Sequence, residues 1–294
     1  MIYFWKGEKK IRIGIIGGDK REEVMINQLA EEGYDLTVLA ENHEFHPAVI
    51  CMNDIFEVIR NKDVVIASMA NTDQDGFIKS TFVNRPVQLT EDFFSSCNND
   101  TLFLIGIAKP VVKKYLEDYN IRYIELAHLA DLAILNAIPT AEGAIKIAIE
   151  ESEKTLFDSN IITYGLGKVG LSLAWRLKAL GAASYAVTRD KAAIARGKDM
   201  GIKMITYNQL DDYLQKMDIV FNTVPSLVVE SDSISILKKT AIIIDLASAP
   251  GGIDFESAER LGIKAIQALG LPGKVAPVTA GEILADIIPD LIIN

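Results

Sequence analysis

Cysteine is nearly absent. Cys51 and Cys97 are the only two in 294 residues, and they have no CxxC spacing. This excludes a disulfide scaffold, and both read as buried thiols of a reducing cytoplasm. Histidine is also scarce, with three residues. His43 and His46 are spaced as HxxH but no third ligand accompanies them, so they read as surface residues, and His128 as a structural one. Basic residues are short: 30 Lys and Arg face 40 Asp and Glu, a formal net charge of −10. That argues against a nucleic-acid partner, while a local pocket can still differ from the mean and accept an anion. No apolar run is expected to be long enough to span a membrane, and the run in Met1–Lys6 is too short for a signal peptide. The polar loop Ala70–Gly76 lacks the acidic order of an EF-hand and shows no metal-ligand pattern.

What is present is alternation. About half the residues are hydrophobic and a quarter charged, the composition of a globular chain, and the length suits two domains. Strands are predicted at 11–16, 35–39, 64–69, 101–107 and 122–126, with helices between them, such as 21–32. Such a rhythm gives a parallel sheet with helices on both faces, whose ligands bind beyond the carboxyl ends of the strands.

The strongest local signal is Ile161-Ile-Thr-Tyr-Gly165-Leu-Gly167-Lys-Val-Gly170, followed by Leu173, Ala174 and Leu177 at helical spacing. Strand, glycine turn and helix make GxGxxG a dinucleotide-binding fingerprint. Gly165 permits the turn, Gly167 lets a pyrophosphate approach the backbone, and Gly170 lets helix and strand pack closely. Leu166, Lys168 and Val169 complete the cradle at the positive end of the helix. The next strand, 184–187, ends in Thr188-Arg189 where an NAD enzyme usually carries an acid. A hydroxyl and a guanidinium suit a 2′-phosphate, so NADP is favoured over NAD, with Asp190 left as an alternative ribose partner. Further along, Asn222-Thr223-Val224-Pro225 ends a buried strand and is expected on the ribose side of the cofactor. Ser248, after the strand 241–245, is expected near the nicotinamide.

Candidate substrate residues lie elsewhere. Gly17-Gly18-Asp19-Lys20-Arg21 reads as an anion pocket at a helix start for a substrate carboxylate. Lys109 and Lys274 are further candidate anion contacts. A helix is expected to begin at Pro139, which puts Asn136, Thr140 and Glu142 near its N-terminus as candidate catalytic or substrate residues. Regular structure is expected to be absent up to Pro277, with a final helix from about Thr279 that returns to the first domain. The predicted fold is α/β: two doubly wound Rossmann-like domains with parallel sheets, joined by crossing helices. The expected bounds are 1–130 for the substrate-side domain, 131–153 for the crossing helix, 154–273 for the NAD(P)-binding domain and 274–294 for the returning helix.

Together, Gly17–Arg21, Asn136-Ala-Ile-Pro-Thr-Ala-Glu-Gly143, Gly165–Gly170, Asn222-Thr-Val-Pro-Ser226, Asp245-Leu-Ala-Ser-Ala-Pro-Gly-Gly252 and Gly270-Leu-Pro-Gly-Lys-Val-Ala-Pro277 resemble the A subunits of dipicolinate synthase. The resemblance runs in order over nearly the whole chain. Its Ile-Pro-Thr-Ala-Glu-Gly and Gly-Leu-Pro-Gly-Lys-Val-Ala-Pro stretches are far more specific than the glycine fingerprint. The second half is also similar to D-2-hydroxyacid dehydrogenases, including the way their domains are joined, and to adenosylhomocysteinase. No His–Glu/Asp–Arg set stands at the expected places, which counts against simple 2-hydroxyacid oxidation. The resemblance implies NADP-dependent oxidation of dihydrodipicolinate, formed from 4-hydroxytetrahydrodipicolinate of the diaminopimelate–lysine pathway, to dipicolinate. It also implies the cytoplasm of the mother cell of a sporulating bacterium and, as partner, a flavoprotein-like B subunit; a homo-oligomer is expected as well. Three alternatives stay open: a dehydrogenase of another small carboxylate, a nucleotide-binding subunit that only supports the flavoprotein, and an S-adenosylmethionine-binding protein.

Overall fold

The computed structural model describes residues 10–70, 72–98 and 100–293. The start Met1–Lys6 and Asn71 of the polar loop lie outside the described residues. The chain divides into two compact units, Met1–Ala133 with Pro277–Asn294, and Ile134–Ala276.

In the first unit the strands are β1 (Arg12–Ile16), β2 (Asp35–Leu39), β3 (Ile50–Met52), β4 (Val64–Ala67), β5 (Phe77–Ile78), β6 (Val87–Gln88), β7 (Leu102–Ile105) and β8 (Arg122–Glu125). Six of them form one parallel sheet in the order β3-β2-β1-β4-β7-β8, and β5 and β6 form a small antiparallel ribbon. Period-two alternation splits the apolar runs between two buried faces. Ile13, Ile15, Val64, Ile66 and Leu104 meet the helix Lys20–Glu31 through Met25, Ile26 and Leu29. Ile16, Val65, Ala67, Phe103 and Ile105 face Phe93, Phe94 and Val112 instead. The last helix, Pro277–Ile293, puts Ile283, Leu284, Ile287 and Ile288 into the first of these cores. The short strand β3 and the ribbon escape sequence prediction because two or three residues carry no readable period.

The second unit holds β9 (Asn160–Tyr164), β10 (Ala183–Val187), β11 (Lys203–Ile205), β12 (Ile219–Asn222), β13 (Ile242–Asp245) and β14 (Lys264–Gln267). All are parallel, in the order β11-β10-β9-β12-β13-β14. The two sheets thus share one doubly wound topology, with its switch point between β1 and β4 in one and between β9 and β12 in the other.

Several expectations need correction. The helix expected from Pro139 starts at Ala130 and runs to Glu151, with Pro139 inside it. Uninterrupted, it is long and apolar enough to cross a membrane by length and composition, contrary to the expectation that no stretch is. Its Ala141, Ala144, Ile145 and Ala148 are buried in the core of the second unit, while Ile134, Leu135 and Ile149 are exposed. The Pro/Gly-rich stretch before Pro277 contains a short helix, Leu271–Val275, entered through Gly270 at φ 67° with Pro272 in its first turn. Cys51 is exposed, and Cys97 is only partly covered. His43 is not a free surface residue: its ring packs on Phe45 and Phe82 at centroid distances of 4.5 and 4.9 Å.

Candidate functional site

In the second unit, β9 ends at Tyr164 and the chain turns through Gly165 at φ 81° into the helix Lys168–Ala179. A Cβ on Gly165 would stand 2.7 Å from the Thr223 hydroxyl, and one on Gly170 2.1 Å from the Gly165 carbonyl oxygen. Both glycines are therefore fixed by the backbone path. Gly167 differs: it is the N-cap, in extended backbone at φ −69° and ψ −163°, with no side chain capping the helix. A Cβ there would meet nothing within 4 Å. The turn thus leaves open space beside uncapped helix N–H groups at the switch point, the arrangement that receives a pyrophosphate. Gly167 and Lys168 are exposed, while Leu166 is buried against Ala174, Ala186 and Ala193 and so can offer a ligand only its backbone.

The segment after β10 carries the second element. Asp190 caps the helix Lys191–Asp199, its Oδ1 accepting from the backbone N–H groups of Ala192 (2.8 Å) and Ala193 (3.2 Å). The Thr188 hydroxyl oxygen accepts from the Asp190 N–H at 3.3 Å, which leaves its proton free to donate. Arg189 is exposed, and its guanidinium lies 5.1 Å from the centroid of the Tyr207 ring.

The loops after β12 and β13 are tied together from below. Thr223 Oγ1 donates to the Tyr164 carbonyl at 2.9 Å, holding its loop against the glycine turn. Asn222 and Asp245 are fully buried. Asn222 Nδ2 donates to Asp245 Oδ1 (2.7 Å) and to the Val224 carbonyl (2.9 Å), while its Oδ1 accepts from the Val224 N–H (3.0 Å). Asp245 also accepts from the N–H groups of Ala247 and Gly252, each at 3.0 Å. Asn222 and Thr223 therefore shape these loops from within, while Val224, Pro225 and Ser248 remain at or near the surface. Asp245 and Tyr207 were missed by sequence reasoning. The available signals were an acid closing the apolar run Ala241–Asp245, and an aromatic two residues past a strand neighbouring β10.

The expected catalytic trio lies in the body of the helix Ala130–Glu151, not at its start. Thr140 Oγ1 donates to the Asn136 carbonyl at 2.6 Å, so toward a ligand its oxygen is an acceptor. The Glu142 side chain is 62% exposed, and its Oε1 lies 3.8 Å from Arg176 Nε.

In the first unit, the turn offered to a substrate carboxylate is already filled by acids. Asp19 caps the helix Lys20–Glu31, accepting from the Arg21 N–H, and Glu22 Oε2 accepts from the Asp19 N–H at 2.8 Å, a complete capping box. Glu22 Oε1 accepts from the Met69 N–H across the sheet. Arg21 is clamped on Asp19 through Nε (2.9 Å) and Nη2 (3.0 Å), and Lys79 Nζ stands 3.4 Å from the same carboxylate. Gly18 is spent as well: its N–H donates to the Lys79 carbonyl and its own carbonyl accepts from the Thr81 N–H. Burial pushes the Glu22 carboxyl up. Burial acts the same way on Asp19, but the hydrogen bond and charge of Arg21 outweigh it and hold that carboxyl at about 2. An arriving anion meets two acids here, and Arg21 retains for it the N–H donors of Nη1 and the second N–H of Nη2. The Lys109 N–H donates to Thr72 Oγ1 at 3.0 Å, and the neighbouring Ala108 N–H is held by Glu125 Oε1 at 3.0 Å. Glu125 Oε2 also lies 3.3 Å from Nδ1 of His128, whose side chain is 65% exposed, so the histidine expected to be structural stands at the surface.

Two doubly wound parallel sheets, one carrying an open glycine turn at its switch point, are the architecture of the nucleotide-binding dehydrogenases. A family model described as the D-isomer specific 2-hydroxyacid dehydrogenase NAD binding domain matches residues 139–252. A second, described as the N-terminal domain of the dipicolinate synthase A subunit, matches residues 12–127. The chain is 34% identical over 285 residues to the A subunit of dipicolinate synthase from Bacillus subtilis (strain 168), covering 96% of each. Its structure is similar to that of the dipicolinate synthase A subunit from Bacillus halodurans, with a TM-score of 0.92 and 34% identity over 97% of this chain and 98% of that one. It is similar also to the crystal structure of its Bacillus subtilis counterpart, with a TM-score of 0.89 and 32% identity over 97% of each. The chain belongs to the family of dipicolinate synthase A subunits.

Proposed function

We propose that this chain oxidises dihydrodipicolinate, formed by loss of water from 4-hydroxytetrahydrodipicolinate, to dipicolinate with NADP⁺ as acceptor. The substrate loses a hydride and a proton, and its ring becomes aromatic. Nicotinamide, when bound, supplies the hydride acceptor, and the chain's own residues orient the two rings and take the proton. The observation that carries the reading is the uncapped turn at Gly167 beside an Arg189 that no carboxylate pairs among the described residues. Asp190, the alternative ribose partner, is engaged as a helix cap, which favours a 2′-phosphate over a free 2′-hydroxyl.

Gly165, Leu166, Gly167, Lys168, Val169 and Gly170 hold the pyrophosphate in this reading. Thr188 and Arg189 hold the 2′-phosphate, and Val224, Pro225 and Ser248 border the ribose and nicotinamide. Lys109 and Lys274 are the cationic partners proposed for the substrate carboxylates, with Nη1 of Arg21 as a further donor. Glu142, or a water held by Thr140 and Asn136, is the proposed proton acceptor. Aromatisation drives the step, so a strong base is not required.

The test supplies the purified chain with enzymatically generated 4-hydroxytetrahydrodipicolinate and follows dipicolinate together with reduced cofactor, using NADP⁺ and NAD⁺ in parallel. Dipicolinate and NADPH are expected in equal amounts, with Glu142→Gln at least roughly tenfold slower. Unchanged turnover in that variant removes Glu142 as the base. Absence of product until a flavoprotein-like B subunit is added would assign the chemistry to the assembly and make this chain its nucleotide-binding part.

A further inference from the structure

We infer that Tyr207 is a positioning residue that sets the cofactor preference, by holding Arg189 as an unneutralised planar cation where a 2′-phosphate would sit. The inference rests on the NADP reading above and extends it to a residue outside the phosphate's own contacts.

The strand register brings the pair together. β10 and β11 are parallel neighbours with Val187 opposite Ile205. Arg189 and Tyr207 each lie two residues past that register pair, so they leave the sheet side by side. The Tyr207 ring is held from two directions. It packs on the buried core formed by Val187, Ile205, Leu210 and Leu214. It also opens a short turn, Tyr207–Gln209, fixed by reciprocal bonds between Thr206 and Gln209: Gln209 N–H to the Thr206 carbonyl at 3.0 Å, and Thr206 N–H and hydroxyl to Gln209 Oε1 at 3.2 and 2.9 Å. The ring is thus anchored on the core at the start of a fixed turn, with the exposed guanidinium of Arg189 over it.

A guanidinium stacked on an aromatic face keeps its N–H donors at the rim, where a phosphate can take two at once. An arginine is ordinarily held in such a pose by a carboxylate, which would cancel the charge the phosphate needs. A ring restrains the side chain without neutralising it. The nearby acid in the sequence, Asp190, points into its own helix start instead. Thr188, just past β10, adds a hydroxyl proton. The Gly165 N–H donates to the Val187 carbonyl at 2.9 Å, which ties this strand end to the glycine turn.

The experiment measures binding of 2′,5′-ADP, 5′-AMP, NADP⁺ and NAD⁺ to the full chain by calorimetry, without turnover. The variants are Tyr207→Leu, Tyr207→Phe, Arg189→Ala and the Tyr207→Leu/Arg189→Ala double variant. Leucine keeps apolar packing but removes the π face, and phenylalanine keeps both. Tyr207→Leu is expected to weaken 2′,5′-ADP and NADP⁺ by roughly two- to fivefold, as a cation–π contact of this exposure implies. It should leave 5′-AMP and NAD⁺ within about twofold. Tyr207→Phe should restore wild-type binding, and Tyr207→Leu should add nothing in the Arg189→Ala background. If Arg189→Ala erases the preference for the 2′-phosphate but Tyr207→Leu keeps it, the inference is overturned and the NADP reading stands. If Tyr207→Leu still weakens binding without Arg189, Tyr207 touches the ligand directly and the positioning role is wrong. If the wild type binds 5′-AMP as well as 2′,5′-ADP, the NADP reading and the inference fall together.

Discussion

Strand β1 with the helix Lys20–Glu31 and strand β9 with the helix Lys168–Ala179 are the same construction in two units. Each sits at the switch point of a six-stranded parallel sheet, each turns through glycine at positive φ, and each helix has 12 residues. The residue before each helix separates them. Asp19 closes the first turn with its own carboxylate, and Glu22 and Arg21 complete a network that uses the helix N–H groups, the charge and the space. Gly167 adds no side chain to the second turn, so the same N–H groups and the same dipole stay available to a ligand. Topology offers a phosphate site at both places. One N-cap side chain decides which of them is stabilised from within and which waits for an anion.

The sharpest way to break this contrast is to move the cap. Gly167→Asp places in the second turn the residue that shuts the first. Its backbone is extended and the space open, so the fold tolerates it and the melting temperature is expected to stay equal or rise slightly. Binding of NADP⁺ and NAD⁺ alike is expected to fall roughly a hundredfold, about 3 kcal/mol, because a carboxylate occupies the N–H groups and repels the pyrophosphate. Calorimetric titration reads the loss, and undiminished affinity would show that the nucleotide does not use this turn.

The converse change in the first unit acts on stability. Glu22 is 1% exposed and joins the Asp19 N–H on one side to the Met69 N–H on the other. Glu22→Ala leaves one buried and one partly buried donor unpaired and is expected to cost about 2 kcal/mol of unfolding free energy. The affinity for either nucleotide should not change. Urea unfolding with a parallel binding titration checks both halves, and a loss of nucleotide affinity would mean that the first turn is not merely structural.

This contrast also marks how far the amino-acid sequence can be read. The parallel α/β class, five of the first unit's strands and the fingerprint of the second were legible, because apolar runs and glycine spacing are local signals. The closure of the first turn was half legible: Asp19 and Glu22 stand at capping-box spacing, yet Lys20 and Arg21 invited a reading as cations for a substrate. Only geometry shows Arg21 turned onto Asp19. Pro139 reads locally as a helix start although a crossing helix is expected over 131–153; the helix runs from Ala130 to Glu151, and the turns before the proline are held by Leu132 and Ala137 in buried packing. The acid that closes one strand and the aromatic just past another are weak local signals for Asp245 and Tyr207, and neither reveals a role, since each acts on a residue about 20 positions away through strand neighbours that must first be known.

The smallest expected effect separates the two acids of the closed turn by pH. Asp19, held at about 2 by Arg21 despite burial, is ionised more readily in the folded chain than in the unfolded one. Its contribution is therefore complete above the ordinary carboxylate range and is lost as pH falls through about 2. Glu22 is shifted the other way by burial. The folded chain binds its proton more readily than the unfolded chain, so this acid favours the fold at low pH, and that contribution is lost as pH rises through the raised value. Asp19→Asn and Glu22→Gln should accordingly show opposite slopes. Between pH 6 and 2 the stability gap between wild type and Asp19→Asn narrows as pH falls, while the gap to Glu22→Gln widens. Urea midpoints at pH 6, 4.5, 3 and 2 give both slopes. Parallel curves for the two variants would mean that Arg21 neutralises the pair as one unit, and the first turn would then be closed by a shared charge instead of by two acids with separate tasks.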